Sequence, residues 1–293
     1  MLDFIAYPLG QILYFIYNNL SFFNYGLAII LFTLFTRLVL LPLTIKQYKS
    51  TAKMQLIQPQ IQEIQKRYKN DKEKLNQELM KVYQENNINP AGGCLPLLIQ
   101  MPILISLYWV ITQPLKFMLN KTPDQIDALI AKIPEAFAAG YSKQIGVLDF
   151  FGQFPEKLAG LENLLLRDEL INLSFLGLNL GKIPTYKPDI LFGPEMGTYL
   201  PLLIFPIVGV ITTFISAKIS MLKSNKNDKK TKDSGMAGSM SNSMLYMGPV
   251  LTLIFSFQLP AGVILYWIAG YVFQIFQQLY INKHVIEKKE VAS

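Results

Sequence analysis

The stretch LFTLFTRLVLLPLT, residues 31–44, decides the fold. It reads as the middle of a membrane span, yet Arg37 stands inside it. A cation near the bilayer midplane costs roughly 2.5–3.5 kcal/mol on insertion scales, so its retention calls for a reason. Outward from Arg37 the apolar run fills 26–45, and comparable blocks occupy 95–118, 197–217, 244–259 and 260–281. Each is long enough, or nearly so, to cross ~30 Å of hydrocarbon. LPAG (259–262) reads as a tight turn between the last two. A further segment, FIAYPLGQILYFIYNNLSFF (4–23), interleaves aromatic and polar residues and carries Pro8, Gly10, Asn18 and Asn19. That mixture favours a helix lying in the membrane interface, so 1–25 is expected to be an external interfacial helix.

Composition agrees. The 293 residues are 51% hydrophobic and only 16% charged, which points to an integral membrane protein. A single cysteine, Cys94, leaves no internal disulfide. The first 36 residues hold no Lys or Arg, so a cleavable signal with a basic leader is not expected. Residues 46–94 carry 9 basic and 5 acidic residues, 218–243 carry 6 and 2, and the tail 282–293 carries 3 and 2. Residues 1–25 and 116–196 together hold 8 basic and 11 acidic residues. The excess of positive charge on cytoplasmic loops then predicts an external N-terminus and a cytoplasmic C-terminus. The net charge of +7 suits anionic lipid headgroups and ribosomal RNA.

Between the first two spans, Met54, Ile57, Ile61, Ile64, Tyr68, Leu75, Leu79 and Val82 recur at helical spacing, with a break at Asn70-Asp71. The pattern predicts a cytoplasmic hairpin of two amphipathic helices over 46–94, closed by NINPAGG (87–93). The external segment 119–196 has short amphipathic pieces at 124–138 and 156–171 and exceeds what a connector requires. The basic loop 218–243 is rich in Gly and Ser and is expected to be mobile. It leads into Met236, Met240, Met244 and Met247, which read equally as gap fillers or as an adaptable apolar stripe.

No P-loop, HExxH, GxSxG or CxxC pattern occurs, and the one histidine, His284, lies in the polar tail. No catalytic residue, cofactor or metal site is expected, and the chain is not read as an enzyme. Arg37 is therefore the focus. An intramembrane arginine ordinarily pairs with a carboxylate, but no Asp or Glu occurs in 26–45, 95–118, 197–217 or 244–281. Its alternatives are water, polar side chains or a visiting anion. Polar groups are at hand: Thr33 one turn earlier, Gln100, Ser106 and Gln113, Thr212, Thr213 and Ser216, Gln258, then Tyr266, Trp267, Gln274 and Gln277. Together they predict a hydrated groove around an unpaired arginine.

At these residues the chain resembles the YidC/Oxa/Alb family of membrane protein insertases. The likeness lies in NYGLAIILFTLFTRLVLLPLTIKQYKSTAKMQLIQPQIQ (24–62), INPAGGCLPLLIQMPILISLYWVI (88–111), FLGLNLGKIP (175–184) and LPAGVILYWIAGYVFQIFQQLYI (259–281), four collinear blocks covering about two thirds of the chain. The resemblance implies an all-α polytopic protein. Its five-transmembrane-helix insertase core would enclose a hydrophilic groove, and a cytoplasmic helical hairpin would stand beside it. It implies that Arg37 meets acidic residues of an incoming chain, and that Thr33 and Trp267 act in groove function and substrate contact. Gln100, Ser216 and Tyr266 complete the expected substrate-binding groove. One departure stands out: many relatives carry a groove glutamine near the end of the third span, where this chain has Ser216 and Ala217. The short tail also lacks the long basic extension some relatives use on ribosomes.

The reading that follows is an insertase of the bacterial plasma membrane, working without nucleotide hydrolysis and assisting membrane-protein folding. Its expected partners are nascent membrane proteins and lipids, with the ribosome, the signal recognition particle pathway and the Sec translocon as further candidates and no DNA. A transporter or anion channel is the rival, as is a passive assembly chaperone. No acidic coupling residue or paired broken helices in the spans favour the transporter.

Overall fold

A computed structural model describes residues 3–87, 95–138, 142–221 and 236–281. INPAGG through Cys94 (88–94), most of the basic loop, and the tail with His284 lie outside them. In chain order the helices are α1 (Asp3–Asn19), α2 (Tyr25–Val39), α3 (Leu41–Leu56), α4 (Gln58–Arg67), α5 (Lys72–Glu85), α6 (Leu95–Thr112), α7 (Pro114–Phe117), α8 (Pro123–Ile130), α9 (Glu135–Ala138) and α10 (Lys143–Gln153). A hairpin of β1 (Ser174–Phe175) and β2 (Leu178–Asn179) follows, then α11 (Pro188–Leu191), α12 (Met196–Tyr199), α13 (Ile204–Met221), α14 (Met236–Ser256) and α15 (Ala261–Ile281). The protein is thus mostly helical, an all-α membrane protein in class.

Among the described residues two helical stretches, Met196–Ile219 and Ala261–Ile281, are long and apolar enough to cross a membrane. A third is the pair Tyr25–Val39 and Leu41–Tyr48, bent by 60° at their junction, and shorter apolar helices cover Met101–Thr112 and Leu245–Ser256. The blocks at 26–45 and 95–118, expected to be continuous, are therefore each interrupted, and proline is the reason in both. Pro42 has no N–H to give the carbonyl one turn back, and its ring crowds that turn, so the helix breaks at Leu40. Gln113 precedes Pro114 and takes φ −127°, ψ 58°, which ends α6 at Thr112. The piece at 156–171, expected to be amphipathic, holds 3₁₀ turns at Pro155–Leu158 and Arg167–Glu169 rather than an α-helix. Gly160, at φ +84°, stands between them in a conformation that no α-helix contains.

The chain divides into two compact units. One comprises 1–36, 101–213 and 249–272 and owns a single apolar core, built on Leu13, Tyr17, Tyr25, Phe32, Phe117 and Phe151. Its members come from α1, α2, α10 and α15 alike, so the segment 119–196 is packed structure and not a loop. Each such side chain contributes at most about 1.5–3 kcal/mol on burial. Polar contacts fix the geometry. Gln11 donates through Nε2 to the carbonyls of Phe117 and Met118 at 2.9 and 3.0 Å, and the Asn172 N–H donates to the Tyr17 hydroxyl at 2.9 Å. The carbonyls of Lys182 and Leu180 accept from the N–H groups of Ala261 and Gly262, both at 2.9 Å. The first turn of α15, whose amides have no partner inside the helix, is thus capped by the LNLGK segment.

The second unit comprises 37–100, 214–248 and 273–293. In it α4 and α5 fold back on each other around buried Ile57 and Ile61, with Met54, Leu79, Val82 and Tyr83 against them. Asp71 caps α5 by accepting from the Lys74 N–H at 3.0 Å, which stops the chain at the Asn70-Asp71 break.

Candidate functional site

Arg37 occupies the last turn of α2 and is half-buried. The bend at Leu40 leaves the closing carbonyls of α2 without continuing amide partners, and that end of a helix carries partial negative charge, which favours a cation there. Among the described residues no carboxylate forms an ion pair with Arg37. The side chain in its field is Tyr48 of α3, whose hydroxyl also feels Gln274 of α15. One turn on from Gln274, Gln277 and Gln278 are buried, and the Gln277 Nε2 has no hydrogen-bond partner among the described residues. Ser216 of α13 belongs to the same unit and is buried as well. The second unit therefore holds a guanidinium, a phenol and a run of amides from three helices, with no carboxylate paired to that guanidinium among the described residues. Such a set attracts and hydrates an anion without neutralising it.

Tyr48 escaped the sequence reading, although a signal for it existed. Positions 37, 41, 44 and 48 fall on one helical face, so the polar pair Thr44 and Tyr48 continues the face that Arg37 begins. Gln100 lies on α6, but its side chain is outside the described residues. The other expected contacts fall in the first unit. Thr33 is buried and donates to the Ile29 carbonyl at 2.7 Å, and Thr36 donates to the Thr33 carbonyl at 2.9 Å. Both hydroxyls thus serve their own helix first. Tyr266 is a core residue, and Trp267 packs on that core with its ring edge-on to Phe255 at 6.3 Å. The Trp267 indole N–H and the Ser106 hydroxyl are buried without a hydrogen-bond partner among the described residues. Buried donors left in that condition are costly unless water or a ligand reaches them.

With this geometry in hand, comparison with known proteins identifies the lineage. The family described as 60Kd inner membrane protein matches residues 15–289. The chain belongs to that family. Members similar to it include the membrane protein insertase YidC of Oceanobacillus iheyensis, 33% identical over 290 residues, covering 97% of this chain and 84% of the relative. Another is the membrane protein insertase YidC 2 of Listeria innocua, 32% identical over 291 residues, covering 98% and 74%. A third is the membrane protein insertase YidC of Clostridium perfringens, 34% identical over 258 residues, covering 88% and 78%. The match to the 60Kd inner membrane protein family takes in Arg37, Tyr48, Ser216 and the α15 glutamines alike.

Proposed function

We propose that this chain is a membrane protein insertase, a multi-pass protein of the bacterial membrane that takes nascent hydrophobic segments from the cytoplasm and releases them sideways into lipid. Family membership supports the insertase reading, and the observation that carries the mechanism is Arg37: half-buried, unpaired by any described carboxylate, and within electrostatic reach of Tyr48. In this reading five spans surround a polar groove open to the cytoplasm, and Arg37 meets acidic residues on the short translocating tail of a substrate. Thr33, Gln100, Ser216, Tyr266 and Trp267 are assigned to substrate contact. A carboxylate built into the chain would quench Arg37, which accounts for its absence from the spans. The groove shortens the dry path that polar groups must cross, and burial of the apolar segment in lipid drives completion without nucleotide. The α4–α5 hairpin would receive substrate, the ribosome or targeting factors from the cytoplasmic side.

The test uses purified protein in liposomes with a single-span substrate bearing an acidic N-terminal tail, scored by protease protection without nucleotide. Wild type and Arg37→Lys are expected to protect the substrate, and Arg37→Ala to lose protection about tenfold or more, equivalent to about 1.4 kcal/mol of lost charge stabilisation. Equal protection by all three would make the arginine incidental. No protection above empty liposomes, or solute flux through the wild type, would overturn the insertase reading.

A further inference from the structure

Five described residues other than glycine adopt left-handed backbone geometry: Phe22, Phe23, Asn87, Asn120 and Leu176, at φ between 50° and 57°. Asn is the residue type that tolerates this region, and Asn87 and Asn120 conform. Phe22, Phe23 and Leu176 do not; Phe22 and Leu176 are turned outward, at 88% and 83% exposure, while Phe23, 58% exposed, leans one side of its ring edge-on against buried Tyr17 at 5.8 Å. Residues at such positions persist only when the surroundings hold them or function demands them.

The surroundings do hold the backbone. Ser21 and Phe23 donate from their N–H groups to the carbonyls of Ile16 and Tyr17, Asn24 donates to the Ser21 carbonyl, and the Asn24 Oδ1 accepts from the Leu27 N–H to start α2. Those bonds would hold with Asn in either place, and Asn18, Asn19 and Asn24 show that the local sequence has amides to spare. What Asn would not supply is the apolar surface that Phe22, and the open side of the Phe23 ring, present away from the protein. The hairpin repeats the choice. Leu176 and Gly177 form its turn with both φ values positive, at 51° and 79°, where Asn-Gly is the usual pair.

The two loops meet at one place. A Cβ on Gly26 would collide with the Phe175 ring, so the hairpin lies directly on the N-terminal end of α2, and Leu176 is the residue after Phe175. We propose that Phe22, Phe23 and Leu176 are a paired anchor, set into the acyl region of the outer leaflet where α2 enters it. Side chains that prefer the water–lipid boundary belong at the end of a spanning helix, and the phenylalanines stand two and three residues before α2 begins. The ligand is a lipid surface. Neither Lys nor Arg occurs between Met1 and Thr36, so no headgroup-specific cationic contact is offered and the recognition is apolar. The proposal rests on α2 entering the bilayer, as proposed above.

The experiment uses the full chain in liposomes with Cys94→Ser as background. A polarity-sensitive fluorophore is placed through Phe22→Cys, Phe23→Cys or Leu176→Cys, with Ile211→Cys on the exposed face of α13 and Asp168→Cys as references. Lipids spin-labelled near the headgroup or near the chain end report depth, and aqueous iodide reports water. Labels at 22, 23 and 176 are expected to be quenched by the shallow lipid label and to lose iodide quenching. Iodide quenching at all three, with position 211 still quenched by the deep label, overturns the anchor and leaves the spanning reading intact. Failure of position 211 to sense lipid overturns the spanning reading and the anchor with it. Shielding of the three from both quenchers means a protein surface covers them, which also overturns the proposal. A second measurement keeps the native phenylalanines in play. Phe22→Asn, which suits the left-handed backbone and leaves the Phe23–Tyr17 ring contact in place, should not lower the unfolding midpoint in detergent, yet a label at 176 should then gain iodide quenching. An unchanged label at 176 overturns the pairing of the two loops.

Discussion

Single residues set the tolerances of this protein more tightly than its apolar composition implies. Gly26 sits against Phe175 so closely that any Cβ must displace the ring. Gly26→Ala is expected to destabilise the first unit by about 1–3 kcal/mol, the range for overpacking a filled site. Gly26→Ala with Phe175→Ala should cost less than the two single changes added together, because the second vacates what the first invades. Unfolding midpoints in detergent for the four proteins check it; strict additivity would show that the contact is not the cause. Gly26 was not legible in the sequence, since its neighbour is far along the chain. Arg37 was legible for the opposite reason: the lack of acidic residues in the apolar blocks is a property of the sequence alone. Its companion Tyr48 lies three residues beyond the 26–45 block, so a reading confined to that block did not reach it.

Among the elements, α1 is held to α7 by Lys116, whose Nζ lies 2.8 Å from Asp3 and 4.7 Å from the centre of the Phe117 ring. The hydrogen bond from Lys116 lowers the Asp3 pKa below its ordinary 3.8. A carboxyl whose folded value lies below its unfolded value adds stability above the unfolded value and loses it as pH falls through the folded one. The contact should therefore operate at pH 6 and vanish in the acid range below about 3.8. Asp3→Asn is expected to lower the unfolding midpoint slightly at pH 6 and to match wild type at the acid end. A constant difference at all pH values would assign the effect to packing. The hairpin of α4 and α5 stands on a small cluster around Ile57 and Ile61. Ile61→Ala should remove about 2–5 kcal/mol from it, more than so few apolar contacts can spare. Amides of α4 and α5 would then lose hydrogen-exchange protection while those of α10 keep theirs; loss in both would mean that the hairpin does not open alone. The break at Asn70-Asp71 was legible because Asp71 is a cap residue with a hydrophobic period on either side. Helix α10 was not, because Gly146 and Gly152 and the buried Phe150-Phe151 pair give it no clean amphipathic stripe.

At the scale of the whole molecule, the helical membrane class was legible from apolar blocks, whereas the breaks that Pro42 and Pro114 make inside two of those blocks were masked by the otherwise continuous apolar runs. The segment 119–196 was legible only as too large to be a connector. Its contribution is tertiary: it completes the apolar core of the first unit and caps α15 with two backbone carbonyls. Charge adds a directional argument that the helices do not contain. Residues 46–94, 218–243 and 282–293 carry the basic excess, whereas 1–25 with 116–196 are net acidic, and translocating lysine-rich loops is unfavourable. The hairpin should therefore face the cytoplasm and the external segment the opposite side. In the Cys94→Ser background, Asn70→Cys and Asp168→Cys place one thiol in each exposed region. In intact cells a membrane-impermeant maleimide should label position 168 and leave 70 unlabelled; in inverted vesicles the pattern should reverse. Labelling of 70 from outside would invert the molecule and put Arg37's groove on the wrong side for a nascent chain. Labelling of both from one side would mean an even number of crossings between them, which is incompatible with α6 as the one span joining the hairpin to the external segment.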